Sequence, residues 1–474
     1  MNYNLLPFKY IFKNENVLLT NYVGDFIWVT QEDFEKLLSG TLEASSELFN
    51  DLKSIYIISS GNSAHDIDIL SVKYRSKKNY LSNFTNLHMV VTTLRCNQHC
   101  YYCQATAESR DSGSSWDMKK DTALLVAEKI MQSPSDYLTV EFQGGEPTLN
   151  FEGIKTVVER IFELNSKSYP KSIDFVICTN LYNITDEMLD YIRYRDISIS
   201  TSLDGPAYIH DKYRVGWMSE GTHKLVIDNI QRVRSFIGNK IGVLMTMTKD
   251  SISNIERIVD EYLEIGLSYI FFRSLNPYGR CIENYSTLSY PIEDFLKAYE
   301  KGLRYIIDLN KKGYYIREGY SSLLLKRMLT PFSTGFVDLQ SPSGAAISGV
   351  IYNYNGNIYC CDEGRMLSAM GDEFFCMGNV KDEYDKLFNS PLVHTLVENS
   401  ILDTIPECTD CVYKCWCGAD PVRQYAINKR LISRKSNDDF CKKHKTIFSL
   451  LLDLLNEDDN IRKILWNWAW ESKS

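Results

Sequence analysis

Between His88 and Leu275 the chain alternates short, largely apolar runs with longer segments whose apolar residues recur every three or four positions. The short runs, His88 to Leu94, Leu138 to Gln143, Asp174 to Thr179, Ile197 to Leu203, Ile241 to Met247 and Tyr269 to Leu275, read as strands. The segments near 119–132, 151–165, 185–194, 222–236 and 253–265 read as amphipathic helices. Six such units in succession predict a parallel sheet rolled into a barrel or part of one, with its chemistry at the C-terminal ends of the strands.

The flanks differ. At the N-terminus, Val17 to Thr20 and Gly24 to Thr30 predict two strands around a turn, Thr30 reads as a helix N-cap, and helical patterns follow at 31–39 and 45–54. This unit, residues 1–85, reads as a small winged-helix-like module, either a packing appendage or a peptide-docking element. Beyond residue 276, helical patterns at 292–310 and 320–329 lead to a hairpin, Ile347 to Tyr352 and Asn357 to Tyr359, around Asn355-Gly356. Amphipathic patterns at 446–455 and 461–470, the latter with three tryptophans, predict a helical cap rather than a membrane anchor.

Composition narrows the class. With 474 residues, 44% hydrophobic and 24% charged, the chain reads as a soluble enzyme of several domains. A net charge of -9 argues against nucleic acid as a partner, since phosphate binding draws on clustered Lys and Arg. No signal-peptide pattern and no run of about 18 apolar residues occurs, so a cytoplasmic location is expected and no membrane partner. In a reducing compartment the 13 cysteines read as metal ligands before disulfides.

Their spacing is specific. Cys96, Cys100 and Cys103 follow the first barrel strand as C-x3-C-x2-C. Closed zinc needs a fourth protein ligand, and His99, the only nearby candidate, sits awkwardly between the cysteines. A 4Fe-4S cube with one iron left open suits three thiolates better. After the second strand comes Gly144-Gly145-Glu146-Pro147, where glycines permit close approach and the Glu146 carboxylate can accept from an ammonium group. Far downstream, Cys408-x2-Cys411-x5-Cys417 with Cys441 offers four thiolates, enough to close a cube or, alternatively, a zinc ribbon.

Together these motifs resemble the radical S-adenosylmethionine (SAM) superfamily. The resemblance implies an α/β fold, a partial (βα)6 TIM-like barrel over residues 86–276, followed by a helical bridge at 277–337. At 338–474 it implies a cysteine-rich SPASM-type iron-sulfur domain with C-terminal helices. By it, Cys96, Cys100 and Cys103 ligate the cluster whose open iron SAM chelates. Tyr102 is expected against adenine, and Gly144, Gly145 and Glu146 at the methionyl amine. Asn180, Ser202 and Asp204 are expected beside SAM, and Arg214 at its carboxylate. Cys408, Cys411, Cys417 and Cys441 would hold an auxiliary 4Fe-4S cluster. The chain departs from the family at Pro421 and at Ser341-Pro342-Ser343-Gly344, where cysteines are usual, leaving Cys361 as the retained candidate for another cluster. Cys360, Cys376 and Cys415 lack the usual order, and Cys178 and Cys281 read as buried thiols.

Phrases such as Val91-Thr92-Thr93-Leu94-Arg95-Cys96, Val337-Asp338-Leu339-Gln340-Ser341-Pro342, Asp362-Glu363-Gly364-Arg365-Met366 and Cys417-Gly418-Ala419-Asp420-Pro421 resemble the His-Xaa-Ser system radical SAM maturase. That resemblance implies reductive cleavage of SAM to a 5'-deoxyadenosyl radical. It also implies a carbon-carbon crosslink, a cyclophane, between an aromatic ring and a nearby β-carbon of a small ribosomal precursor peptide. Electrons would come from a flavodoxin or ferredoxin. Asp338, Asp362 and Glu363 are the candidate proton acceptors, from their positions alone. Sulfatase-type formylglycine formation, thioether formation and epimerisation remain alternatives within the enzyme class. A metal-stabilised peptide-binding scaffold is the non-enzyme alternative.

Overall fold

The computed structural model describes residues 3–82, 84–167, 169–432, 434–435 and 438–470. Its centre is a nine-stranded sheet. Six strands run parallel in the order Phe272–Arg273, Ile241–Thr246, Ser198–Ser202, Ser172–Cys178, Tyr137–Gly144 and Leu87–Thr93. Beyond Leu87–Thr93 the sheet continues into Gly349–Tyr352, paired parallel with it, and then Asn357–Tyr359 and Cys376–Asn379, paired antiparallel.

The burial pattern explains why these runs are strands of a half-closed barrel. On Tyr137–Gly144, Leu138, Val140 and Phe142 are fully buried against the outer helices, while Glu141 and Gln143 between them are only partly covered. Ser172–Cys178, Ser198–Ser202 and Ile241–Thr246 alternate in the same way, turning Val176, Cys178, Ser200, Ser202, Leu244 and Thr246 to the other face. Period-two alternation therefore sorts an apolar face, each large side chain contributing about 1.5–3 kcal/mol on burial, from a face with polar groups that lines the lumen. There Cys178 lies against Glu141 and Ser200, with Arg273 in electrostatic reach, and its thiol is held well above the ordinary range by burial.

Around the sheet lie helices Lys120–Met131, Phe151–Ser166, Asp186–Tyr194, His223–Ile237 and Ile255–Glu264. Ile292–Lys311, Gly319–Leu329, Asp439–Glu457 and Asp459–Trp470 pack together as a helical layer that shares the same core. Of the last helix's tryptophans, only Trp468 is buried.

The N-terminal unit has a core of its own, built on Val17, Leu19, Phe34, Leu37, Phe49, Leu52 and Ile58. Its sheet has three strands, Phe8–Lys13, Asn16–Asn21 and Phe26–Thr30. The first was not anticipated, because Phe8-Lys9-Tyr10-Ile11-Phe12-Lys13 is an edge strand whose apolar residues Tyr10, Ile11 and Phe12 are exposed and give no alternation. Thr30 caps helix Gln31–Ser39 by accepting from the Asp33 amide at 3.1 Å. Two more helices, Glu47–Ser54 and Ser63–Lys77, complete the unit. No helix among the described residues is long and apolar enough to cross a membrane.

Candidate active site: a thiol triple at the barrel mouth

The loop that carries Cys96, Cys100 and Cys103 leaves Leu87–Thr93 and is held from three sides. On the first, Arg95 clamps Asp117 in a bidentate pair, Nε to Oδ1 at 2.8 Å and Nη2 to Oδ2 at 2.7 Å, and Thr93 Oγ1 donates to the same carboxylate at 2.6 Å. On the second, the His99 and Tyr101 amides donate to the carbonyls of Val215 and Tyr213, and Trp217 Nε1 donates to the Cys96 carbonyl at 2.7 Å. On the third, the Arg280 amide donates to the Cys103 carbonyl at 3.0 Å.

Gly144 and Gly145 serve this clamp. A Cβ on Gly145 would stand 2.2 Å from the Arg95 carbonyl oxygen and 2.5 Å from that of Leu94. One on Gly144, which has φ +135°, would stand 2.3 Å from the Thr93 oxygen. The two glycines let the second strand's exit lie against the cysteine loop itself, with the Gly145 and Glu146 amides bonded to Thr93 and Arg95. The sequence pointed to close approach; the partner it brings close is the loop's backbone.

Glu146 is buried and fully engaged. Its Oε1 accepts from the Thr148 amide and hydroxyl and from Thr179 Oγ1, and its Oε2 accepts from the Asn180 amide at 2.8 Å. Burial raises its pKa, and these bonds pull it back down. Asn180 also bonds Asn97 Oδ1 at 2.7 Å, with its Nδ2 3.7 Å from Cys96 Sγ. The carboxylate thus ties the second strand's exit to the third's, beside the first thiol.

On the other flank, Tyr102 is buried. Its hydroxyl donates to Asp204 and accepts from Arg214 Nε at 2.9 Å, while Asp204 Oδ1 takes the Thr246 amide at 3.0 Å. It belongs to a small buried cluster with Tyr213, Cys281 and Leu288. Arg214 also reaches Gln98 Oε1 at 3.4 Å and lies within 3.6 Å of Asp204. Ser202 ends the fourth strand on the partly covered face.

Burial raises the Cys96 thiol well above its ordinary range and pushes Cys100 up to about 11, with neighbouring thiols adding to the rise in both. Thiols gathered this closely favour a positively charged occupant. Asn97 Nδ2 and Gln98 Nε2 are buried donors without a partner, on the two residues between Cys96 and His99. Among the described residues no three His, Cys, Asp or Glu converge on a single metal ion. A cube, which takes each thiolate on a different iron, asks for no such convergence, and the donor set fits it.

Cys408, Cys411, Cys417 and Cys441 lie within electrostatic reach of one another, flanked by Lys435 and Lys445. Cys361 stands apart from them, its Sγ 3.9 Å from Cys360 and capping helix Asp362–Ala369 by accepting from the Gly364 amide. Cys376 bonds toward the Gly378 carbonyl at 3.8 Å.

A cluster of charges gathers around Asp338. Asp338, Glu363 and Asp420 share it with Lys443, Arg423 and Arg273. Each acid is partly buried. Burial and mutual repulsion push Glu363 up to about 8 and Asp420 up to about 7, while burial of Lys443 and its cationic neighbours bring it down to about 8. Tyr278, buried within electrostatic reach of Asp420 and Glu363, has a hydroxyl with no partner. Asp362 instead lies 3.5 Å from Arg365, whose guanidinium faces the Ala105 carbonyl. Asp420, Arg423 and Lys443 were not anticipated. The signal available was Gly418, whose Cβ would overlap the Leu339 backbone at 2.4 Å and which brings Asp420 alongside Asp338.

A half-barrel with an open thiol triple at its mouth and a second thiol set behind defines the class. Residues 90–262 match the radical SAM superfamily model, and the chain carries a radical SAM domain. The cysteine-type anaerobic sulfatase-maturating enzyme of Clostridium novyi is 23% identical over 368 residues, covering 74% of this chain and 91% of that protein. Among solved structures, native anSMEcpe with bound AdoMet superposes with a TM-score of 0.65 at 17% identity, over 80% of this chain and 99% of that one. Streptococcus suis SuiB bound to its precursor peptide SuiA superposes with a TM-score of 0.54 at 15% identity, over 93% of this chain and all of SuiB.

Proposed function

We propose that the protein is a radical SAM maturase that acts on a ribosomally made peptide and joins an aromatic ring to a nearby β-carbon. The observation that carries the radical SAM reading is the triple Cys96, Cys100 and Cys103 beside two orphaned amide donors, an arrangement with room for one more ligand. With a 4Fe-4S cluster and SAM bound there, reduction supplies a 5'-deoxyadenosyl radical that removes one hydrogen atom from a substrate carbon. Asn97, Gln98, Asn180 and Glu146 are the groups placed to orient SAM, and Arg214 to receive its carboxylate.

Crosslinking removes two hydrogens from the peptide, one as an atom from the β-carbon and one from the ring as a proton and an electron. Glu363, Asp338 and Asp420 around Tyr278 supply the proton acceptor, and a cluster on Cys408, Cys411, Cys417 and Cys441 supplies the electron acceptor. The peptide substrate draws support from two sides. The sulfatase maturase relative works on a protein, and the SuiB superposition extends over more of the chain than residues 86–474 alone can supply, so it includes part of the N-terminal unit. That unit is the candidate docking element for a leader segment.

The crosslink itself rests on the phrases shared with the His-Xaa-Ser maturase. Formylglycine formation is the second reading, favoured by the similarity to the Clostridium novyi enzyme. Anaerobic co-expression with a candidate small peptide, followed by tandem mass spectrometry, tests both. A loss of two hydrogens with fragments that fail to separate across an aromatic residue supports the crosslink. A product that reacts with an aldehyde probe overturns it in favour of formylglycine.

A further inference from the structure

At the seam between the N-terminal unit and the cysteine-rich segment lies a hollow with about 70 Å³ open to solvent, enough for several waters or one small oxyanion. Four cations line it: Lys77, Lys78, Arg327 and Lys414. Asp403 is the one carboxylate of the lining, and it is already taken, by Lys414 Nζ at 2.5 Å and by the Tyr74 hydroxyl at 3.3 Å. Lys78 and Tyr80 both donate to the Ser341 carbonyl, a neutral partner. Arg327 spends its Nε on the Trp416 carbonyl at 2.8 Å and makes no hydrogen bond with its terminal nitrogens among the described residues. Lys77 makes neither hydrogen bond nor ion pair among them, though it is largely enclosed.

Crowding of this kind is costly unless an anion relieves it. Cys415 and Asp25 oppose the loss of charge on Lys77. Lys78 is pushed down to about 8 by burial, with Asp403 opposing the fall and Arg327 and Lys414 adding to it. We propose that this hollow binds an oxyanion through Lys77, Lys78 and the Arg327 terminal nitrogens. The ligand is either the carboxylate of an acidic peptide residue or a free phosphate. Tyr74 and Tyr80 wall the site, and its place at the seam lets an occupant tie the N-terminal unit to the cysteine-rich segment. The proposal does not depend on the maturase reading.

The test uses the full chain with its clusters reconstituted, at constant ionic strength. Inorganic phosphate titrated against chloride should raise the melting temperature in a saturable way. Lys77→Gln, and separately Arg327→Gln, should weaken that response by about tenfold or more, the loss of one charge-assisted contact. Lys297→Gln, on an exposed helix face elsewhere, should leave it unchanged. Should Arg327→Gln fail to fold, Lys77→Gln decides alone, since that side chain holds nothing in place. An acetylated, amidated di-glutamate peptide then separates the sources: competition with phosphate identifies a carboxylate site, and failure to compete identifies a phosphate site. A phosphate response absent in the wild type, or equal in wild type and Lys77→Gln, overturns the proposal.

Discussion

The thiol triple at the barrel mouth and the four thiols behind it use the same side chain for opposite ends. The front set is short of a ligand and surrounded by groups with something left to give: Asn97 Nδ2 and Gln98 Nε2 lack partners, and Arg214 and Asp204 stand nearby. Behind, four thiols face one another, Lys435 and Lys445 flank them, and no orphaned buried donor belongs to residues 408–417 or 438–441. Among the described residues, the front set keeps unspent hydrogen bonds and the rear set keeps none. Vacancy, more than cysteine number, separates the two.

The largest effect should come from Cys96→Ala, Cys100→Ala or Cys103→Ala, each abolishing 5'-deoxyadenosine release in an anaerobic assay with dithionite, read by chromatography. If release survives, the front set is not the reactive one. Cys408→Ala or Cys441→Ala should leave that release in place but lower iron by about four atoms per chain, as expected for loss of one cube. Peptide product should fall by about 10–100-fold. Loss of 5'-deoxyadenosine in these variants would erase the distinction between the sets.

The charged cluster around Asp338 predicts a pH dependence. Its acids must lose protons to act, so product formation should rise with pH through the window from about 7 to about 8 set by Asp420 and Glu363. Glu363→Gln should flatten the upper part of that rise. The same groups have folded pKa values raised above their unfolded ones, so the stability they contribute at low pH is lost as pH climbs through those values. Thermal unfolding should therefore be easier at pH 8 than below 7, and less so in Asp420→Asn; a variant as sensitive as the wild type removes these acids from the account.

Smaller still, Gly145→Ala must displace the Leu94 and Arg95 carbonyls and should cost about 1–3 kcal/mol in denaturant unfolding, with reduced iron loading at the front set only. Arg95→Met, which gives up a partly exposed clamp on Asp117, should cost about 1 kcal/mol or less.

The barrel was legible because its strands bury one face, and short apolar runs alternating with amphipathic helical segments have few other readings. The hairpin was legible from Asn355-Gly356, where Gly356 takes φ +89°. Less of the site could be read. Glu146, Asn180, Asp204 and Arg214 surround the triple, but spacing does not encode that the Tyr102 hydroxyl bonds Asp204 and Arg214. Asp420 and Lys443 meet Asp338 only through folding, from positions about 80 and 105 residues away in sequence. The edge strand Phe8–Lys13 escaped for the opposite reason, since an exposed apolar edge leaves no burial pattern behind.

The parallel pairing of Gly349–Tyr352 with Leu87–Thr93 carries the sheet from the strand that enters the front loop into the hairpin of the C-terminal segment. The two share backbone hydrogen bonds, so neither can slip without breaking the other's register. Load placed on the hairpin is therefore borne by the strand that seats the front loop, and the loop's footing is braced from the far side of the sheet.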